Sequence, residues 1–228
     1  PTGLHPVSTH SRVVLRMTLL LIAMGWLGLL ILGMTKDETT WGMKISTALF
    51  QSITARTAGF NTVDFGIMPL ASLLLITLLM FIGGSPASCA GGVKTTALAI
   101  SLAEFKAKLK GQDQVVIMDR RVPKPILDRT MVLIRVSVLW NLLGIFLLLF
   151  TETGQPGVGF HDVLFEQISA FGTVGLSTGL TFKLSTFGRL WITATMFVGR
   201  LGPLTIAMGM LPVTPTHVKY PEGRILIG

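Results

Sequence analysis

The sequence carries an internal repeat that aligns its two halves at a constant offset of 116 residues, without a gap. Gln51 falls on Gln167, and TAGFNT at 57–62 falls on TVGLST at 173–178. The matched positions include Gln, Thr and Gly, which a shared hydrophobic character does not explain. The repeat therefore predicts that each half folds into a unit of the same architecture.

Four apolar segments accompany the repeat, two in each half, at 13–34, 66–83, 131–150 and 189–211. A helix needs about 20 apolar residues to cross a bilayer, and each segment is near that length. The composition agrees, because 50% of the residues are hydrophobic, 13% are charged and the mean hydropathy is +0.68. An ordinary soluble domain is less apolar. We therefore predict an all-α transmembrane protein with four main spans.

Between the two spans of each half lies a short helix-like stretch, at 41–55 and at 160–171, followed by an extended stretch rich in Gly and Thr. We predict that each helix re-enters the membrane from outside. The chain then divides into tandem units at 1–122 and 123–228, each with a span, a re-entrant pore helix with its filter, and a second span. The first unit adds a cytoplasmic helix and the second a C-terminal tail.

Basic residues lie on one side of the predicted spans: before the first, between the second and third, and after the fourth. The excess of Lys and Arg in cytoplasmic segments assigns this side, with both chain termini, to the cytoplasm. The formal net charge of +8 is thus interpreted as membrane topology. A nucleic-acid site is not expected, because no basic face with interleaved aromatic residues is present.

The repeated Gly/Thr motif predicts a cation filter. Irregular backbone at membrane depth is costly unless its carbonyls face protein, water or an ion. A ring of carbonyls can replace the hydration shell of an ion, and Gly allows the torsions that aim them inward. The pore helices would add their negative C-terminal ends. The alternative is an ordinary Gly/Thr turn in an extracellular loop. The predicted filter residues are Thr57, Ala58, Gly59, Phe60, Asn61, Thr173, Val174, Gly175, Leu176 and Ser177.

Four longer motifs carry a family resemblance: TARTAGFNTVDFG, GGSPASCAGGVKTT, SAFGTVGLSTGLT and GRLGPLT. They resemble the third and fourth repeats of the Ktr/Trk/HKT superfamily of potassium transporters, most closely its Ktr-type membrane subunit. The similarity covers nearly the whole chain, including the YPEGRILIG end. Members of the superfamily carry four such repeats around one pore, so the chain resembles a half-subunit without the first two repeats.

The resemblance implies potassium uptake across a bacterial plasma (inner) membrane, with sodium as the implied coupling ion. Its implied partners are the missing N-terminal half with two repeats, a second copy of the membrane subunit near the YPEGRILIG end, and a cytoplasmic regulatory ring that binds ATP, ADP or NAD. No cofactor is expected in this chain. Membrane lipids are expected at the basic segment 104–129. A sodium-selective member is the competing interpretation, because the first-repeat filter position that contributes to selectivity lies outside this sequence.

The second predicted span is interrupted after Gly83 by Gly, Pro and small polar residues of low helix propensity. A cytoplasmic turn is one interpretation, whereas the resemblance implies an intramembrane gating loop below the filter and then a helix at 93–110. Arg200 lies inside the fourth predicted span and is interpreted as a donor to the loop carbonyls that blocks resting leak. Snorkelling is the alternative. The predicted gate residues are Gly84, Ser85, Pro86, Ala87, Ser88, Cys89, Ala90, Gly91, Gly92, Lys94 and Arg200.

Two further basic residues have open interpretations. Lys94 is either a gate residue or an interfacial lysine, and Arg56 either pairs with Asp64 or affects permeation.

Enzymatic function is not expected. The run GGVKTT lacks the Gly directly before Lys that a phosphate-binding loop requires, and the acidic residues are assigned almost wholly to loops. A two-pore-segment channel that works as a homodimer is the remaining alternative function.

Overall fold

The computed structural model describes residues 8–33, 40–86, 88–152 and 157–202. This part of the chain is mainly helical, with an antiparallel hairpin between the fourth and fifth helices. The α-helices are α1 Thr9–Leu32, α2 Trp41–Thr54, α3 Leu70–Phe81, α4 Thr95–Leu109, α5 Lys124–Glu152, α6 Phe160–Gly172 and α7 Thr186–Leu201, and the strands are β1 Val116–Ile117 and β2 Arg120–Arg121.

The elements recur in the same order in the two halves. A long helix, a short helix, an extended stretch, a 3-10 turn and a further helix follow one another as α1, α2 and α3, and again as α5, α6 and α7. The predicted helices at 41–55, 160–171 and 93–110 are confirmed as α2, α6 and α4. The segment 104–129 was expected to be partly helical; the hairpin in it was not predicted.

Two helices in the described part, α1 and α5, are long and apolar enough to cross a membrane. Only 17% and 22% of their most apolar windows are buried, so their hydrophobic side chains mostly face outward. The predicted second span starts too early. Asp64 caps a 3-10 turn through the Gly66 N–H, Pro69 follows, and α3 has only 12 residues. Helix α7 has 16 residues, and positions 203–211 of the predicted fourth span lie outside the described residues.

The halves share one hydrophobic core. Helix α1 packs against α2, α3 and α4, whereas α6 packs against α3, α5 and α7. The largest buried cluster joins Leu21 and Ile76 of the first half to Phe165 and Val174 of the second. The contact between α3 and α6 therefore fixes the extended stretch of the second half against the core of the first.

Candidate functional site

The two extended stretches that follow α2 and α6 meet at their glycines. Gly59 has φ +79° and Gly175 has φ +92°, a left-handed backbone that favours glycine. A Cβ atom on Gly59 would overlap the carbonyl oxygen of Val174 and lie 3.8 Å from the Gly175 Cα. The structure thus brings the predicted filter residues of the two halves into direct contact.

Each stretch begins with a chain reversal at the end of its short helix. Thr57 and Thr173 both have left-handed φ values, 70° and 51°. After α6, the Val174 N–H donates to the Ser169 carbonyl at 2.9 Å, and after α2 the Ala58 N–H donates to the Thr54 carbonyl at 3.1 Å. These bonds engage the backbone N–H groups of Ala58 and Val174. They do not involve the carbonyl groups of the same residues.

Four carbonyl oxygens of the stretches have no hydrogen-bond partner among the described residues. Those of Ala58, Gly59, Val174 and Gly175 receive no hydrogen bond from any described residue. Unpaired backbone carbonyls are costly where water is excluded, so at membrane depth such a cluster would need a ligand or a water-filled path. In this chain Ala58 and Gly175 are exposed. Phe60 differs, because its carbonyl accepts a hydrogen bond from the α2 hydroxyl of Thr54 at 2.5 Å and so points at the helix.

The predicted filter residues form two walls, the first at 57–61 and the second at 173–177, and these walls differ in how their side chains are packed. In the second wall Val174 and Leu176 are buried in the core while the intervening Gly175 is exposed. In the first wall Phe60 is 71% exposed, and Asn61 is exposed as well. The second wall is therefore held by this chain itself, whereas the first wall leaves a surface open.

The loop predicted as a gate lies directly below the second wall. Its neck is closed by a short parallel bridge between Ile82 and Val93, with the Gly83 N–H donating to the Val93 carbonyl at 2.9 Å. Near its end, the Gly91 N–H donates to the Thr173 Oγ1 at 2.9 Å. The loop therefore contacts the first residue of the second wall.

Three basic side chains donate to carbonyls of this loop and its neck. Arg200 Nη1 of α7 donates to the Cys89 carbonyl, and Lys94 Nζ donates to the Ala90 carbonyl. The contact predicted for Arg200 is therefore present. The remaining donor is Arg56, whose Nη2 donates to the Gly83 carbonyl at 2.8 Å.

The predicted pairing of Arg56 with Asp64 is wrong. Arg56 turns inward to the neck of the loop, and Asp64 Oδ1 accepts the Gly66 N–H at 2.8 Å instead. Asp64 thus accepts a hydrogen bond from its own turn, and the Arg56 guanidinium hydrogen-bonds to the loop neck instead. Arg56 was not among the predicted gate residues, and its only signal in the sequence was a charge next to the filter motif.

The other predicted gate residues form the body of the loop. Ser88 Oγ donates to the Ser85 carbonyl at 2.5 Å, and the Thr95 N–H donates to the Gly84 carbonyl at 3.2 Å. Pro86 and Gly92 also belong to this segment, whereas Ala87 lies outside the described residues.

The assignment of acidic residues almost wholly to loops was wrong, because five of the described acidic residues lie in helices; Glu104 lies in α4 and Asp128 in α5. Glu152, Asp162 and Glu166 all lie in helices, and both glutamates are buried. Glu166 contacts the second wall, where its carboxylate accepts a hydrogen bond from Ser177 Oγ at 2.7 Å. A single acidic residue within the apolar stretch FEQISAFG was the available signal.

Comparisons with known proteins agree with this architecture. The sequence profile of the TrkH family, described as a cation transport protein, matches residues 5–216. The chain is 37% identical over 225 residues to the Ktr system potassium uptake protein B of Bacillus subtilis, covering 97% of this chain and 50% of the relative. It is 36% identical over 228 residues to the potassium/sodium uptake protein NtpJ of Enterococcus hirae, covering 97% and 51%. The chain thus spans about half the length of the curated relatives it matches.

A solved structure gives the same fold. The potassium transporter TrkH from Vibrio parahaemolyticus superposes with a TM-score of 0.73 at 21% sequence identity, over 92% of this chain and 47% of that one. The family match, which covers most of the sequence, and this shared membrane-transporter fold lead to one conclusion: the chain belongs to the TrkH family of cation transport proteins.

Proposed function

We propose that this chain supplies two of the four walls of a potassium filter in a transporter for potassium uptake across a bacterial plasma membrane. The observation that carries the proposal is the meeting of Gly59 and Gly175 at positive φ beside carbonyls that no described residue satisfies. Such oxygens can replace the hydration shell of an alkali cation. The relatives from Bacillus and Enterococcus, which are named for potassium and potassium/sodium uptake, support the ion class.

In this proposal α1, α3, α5 and α7 are the four spans, and α2 and α6 re-enter from outside. Units 1–122 and 123–228 are the tandem repeats, with both termini in the cytoplasm. Helix α3 rises only about 18 Å over its 12 residues, whereas the hydrocarbon core is about 30 Å thick. The loop and the start of α4 must then complete the crossing, which supports an intramembrane loop over a cytoplasmic turn.

The loop from Gly84 to Gly92 is proposed as the gate. It lies against Thr173 at the base of the second wall, and three cationic side chains donate to carbonyls of the loop and its neck. Arg200 reaches it from a different helix, so a movement of α7 relative to α3 would strain this bond. We propose that the bond holds the closed state and adds a positive barrier to leak.

Two walls cannot surround an ion, so the proposal requires further chains. We propose that the other two repeats complete the pore, that a second membrane subunit forms a dimer with it, and that a cytoplasmic ring binding ATP, ADP or NAD controls the gate. Sodium is proposed as the coupling ion, and the chain itself holds no cofactor. The printed name of the Bacillus relative, a protein B of a Ktr system, supports a multi-component assembly.

One alternative function has a specific observation in its favour. The chain contains two Gly/Thr-rich stretches, each after a short helix, and a two-pore-segment channel that works as a homodimer requires two such stretches per chain. Cation flux from this chain alone supports that channel, whereas dependence on a polypeptide with the other two repeats supports the proposal above.

The direct test is to locate the ion. Crystals of the assembled transporter, meaning this chain with the polypeptide that supplies the remaining repeats, are grown in RbCl, and anomalous difference density is measured. The proposal expects peaks coordinated by the carbonyls of Val174 and Gly59, in line along the pore. Rubidium peaks elsewhere, with none at these carbonyls, contradict it.

A further inference from the structure

The second wall is held from behind by a buried carboxylate. Glu166 projects from α6 and is 6% exposed. Its Oε2 accepts a hydrogen bond from Ser177 Oγ at 2.7 Å, and its Oε1 accepts one from Thr181 Oγ1. Ser177 is the last residue of the proposed wall, and Thr181 lies in the 3-10 turn that follows. The carboxylate therefore joins the pore helix to the C-terminal end of the filter.

These bonds fix the orientation of Ser177. Each hydroxyl has a single proton, and an ionised carboxylate has only acceptors, so it can receive both protons at once. The two hydroxyl oxygens also lie 3.0 Å from each other. Ser177 Oγ in turn accepts the Gly179 N–H at 3.0 Å. Hydrogen bonds to a charged acceptor are stronger than those between neutral groups. Ser177 is thus tied both to the helix before the wall and to the turn after it.

The first half has a different arrangement. Phe50 occupies the position that the repeat aligns with Glu166, so no carboxylate lies behind the first wall at this point. There, Gln51 Nε2 donates to Thr62 Oγ1 at 3.0 Å and links the helix to the extended stretch. The matching Gln167 accepts a hydrogen bond from α7 instead. In the second half the Glu166 carboxylate therefore connects the short helix to the extended stretch, as Gln51 does in the first half.

We propose that Glu166 is a positioning residue that sets the cation selectivity of the filter by holding Ser177 and the backbone next to it. The inference rests on the proposed function. Discrimination between potassium and sodium depends on how the coordinating carbonyls are placed and how far they can move. A second wall released from Glu166 is free to close around the smaller ion. Glu166 acts through the wall and makes no contact with the ion.

The test compares uptake of potassium and sodium by the assembled transporter in proteoliposomes. Glu166→Gln keeps the size of the side chain but replaces one acceptor by a donor. We expect the ratio of potassium to sodium uptake to fall by about three- to tenfold, the equivalent of losing one hydrogen bond, with a raised KM for potassium. The matched control is Glu104→Gln, a buried glutamate on the cytoplasmic helix α4, which leaves the ratio unchanged.

A double variant separates positioning from general destabilisation. If Glu166 acts largely through Ser177, adding Glu166→Gln to Ser177→Ala lowers the ratio by less than Glu166→Gln lowers it in the wild-type protein. A purely structural role lowers uptake of both ions together and leaves the ratio intact, which overturns the inference, as do additive effects in the double variant. If Glu166→Gln does not fold, Thr181→Val removes one donor to the same carboxylate, and a smaller fall is expected; an unchanged ratio contradicts the inference.

Potassium uptake by the wild-type protein and selectivity of the Glu166 variant test the two proposals separately. Wild-type protein that takes up no potassium overturns the proposed function and this inference with it. Selective wild-type uptake with an unchanged ratio in Glu166→Gln overturns the inference alone.

Discussion

Arg200 links α7, one of the four proposed spans, to the loop that we propose as the gate. Its guanidinium crosses from α7 to the Cys89 carbonyl of the loop, which is also held by Thr173, Arg56 and Lys94. An arginine at membrane depth is costly unless it faces the protein interior or an aqueous cavity. The loop carbonyl supplies the acceptor that offsets part of this cost, so the charge and the loop stabilise each other.

We therefore expect Arg200→Ala to raise resting cation flux. Loss of a charged hydrogen bond changes an equilibrium by about 1.5–3 kcal/mol, so the open population should rise by about tenfold or more. Rubidium efflux from loaded vesicles measures it. Arg200→Lys, which keeps the charge, should be intermediate, and Arg129→Ala on the exposed start of α5 is the control. Equal resting flux in wild-type protein and Arg200→Ala would contradict the proposal that Arg200 holds the closed state.

At the scale of elements, the packing of α6 against α7 positions the second wall. Gly199 of α7 is buried, and a Cβ on it would overlap the Phe171 carbonyl, two residues before Thr173. Because the clash is with backbone, no side-chain rotation relieves it. The close approach of the two helices at this point therefore depends on glycine.

Gly199→Ala should lower stability by about 1–3 kcal/mol, the usual cost of forcing extra volume into a packed contact, in spite of the higher helix propensity of alanine. Thermal unfolding in detergent measures the change. Gly42→Ala in α2 is the matched control, because no atom lies within 4 Å of the added methyl group. An unfolding temperature for Gly199→Ala at or above that of wild-type protein contradicts the described packing.

The elements were largely predictable from the sequence, because α2, α6 and α4 follow local patterns of apolar and Gly-rich residues. The site was predictable only in part. The repeat placed Gly59 and Gly175 in equivalent positions, but their contact depends on the packing of α3 against α6. The bond between Arg56 and Gly83 joins residues 27 positions apart, and the bond from Glu166 crosses a chain reversal. Such partners depend on tertiary structure, which one sequence read locally does not specify.

At the scale of the whole molecule, the chain is an asymmetric pair of repeats. Its second wall is braced by its own helices, and its first wall exposes Phe60. Sequence identity to the relatives extends along nearly the whole chain but only about half of theirs. In our proposal the remaining repeats cover the exposed wall and close the filter around the ion.

If Gly59 and Gly175 line one cation filter, substitutions at these glycines change ion selectivity in proteoliposomes. Serine at either position introduces a Cβ into a left-handed backbone beside the opposite wall. Gly111→Ser is the control, since Gly111 also has a positive φ but has no atom within 4 Å of an added Cβ. We predict that Gly59→Ser and Gly175→Ser lower the ratio of potassium to sodium uptake by about tenfold or more, whereas Gly111→Ser keeps the wild-type ratio. The same ratio in all four proteins would contradict the account.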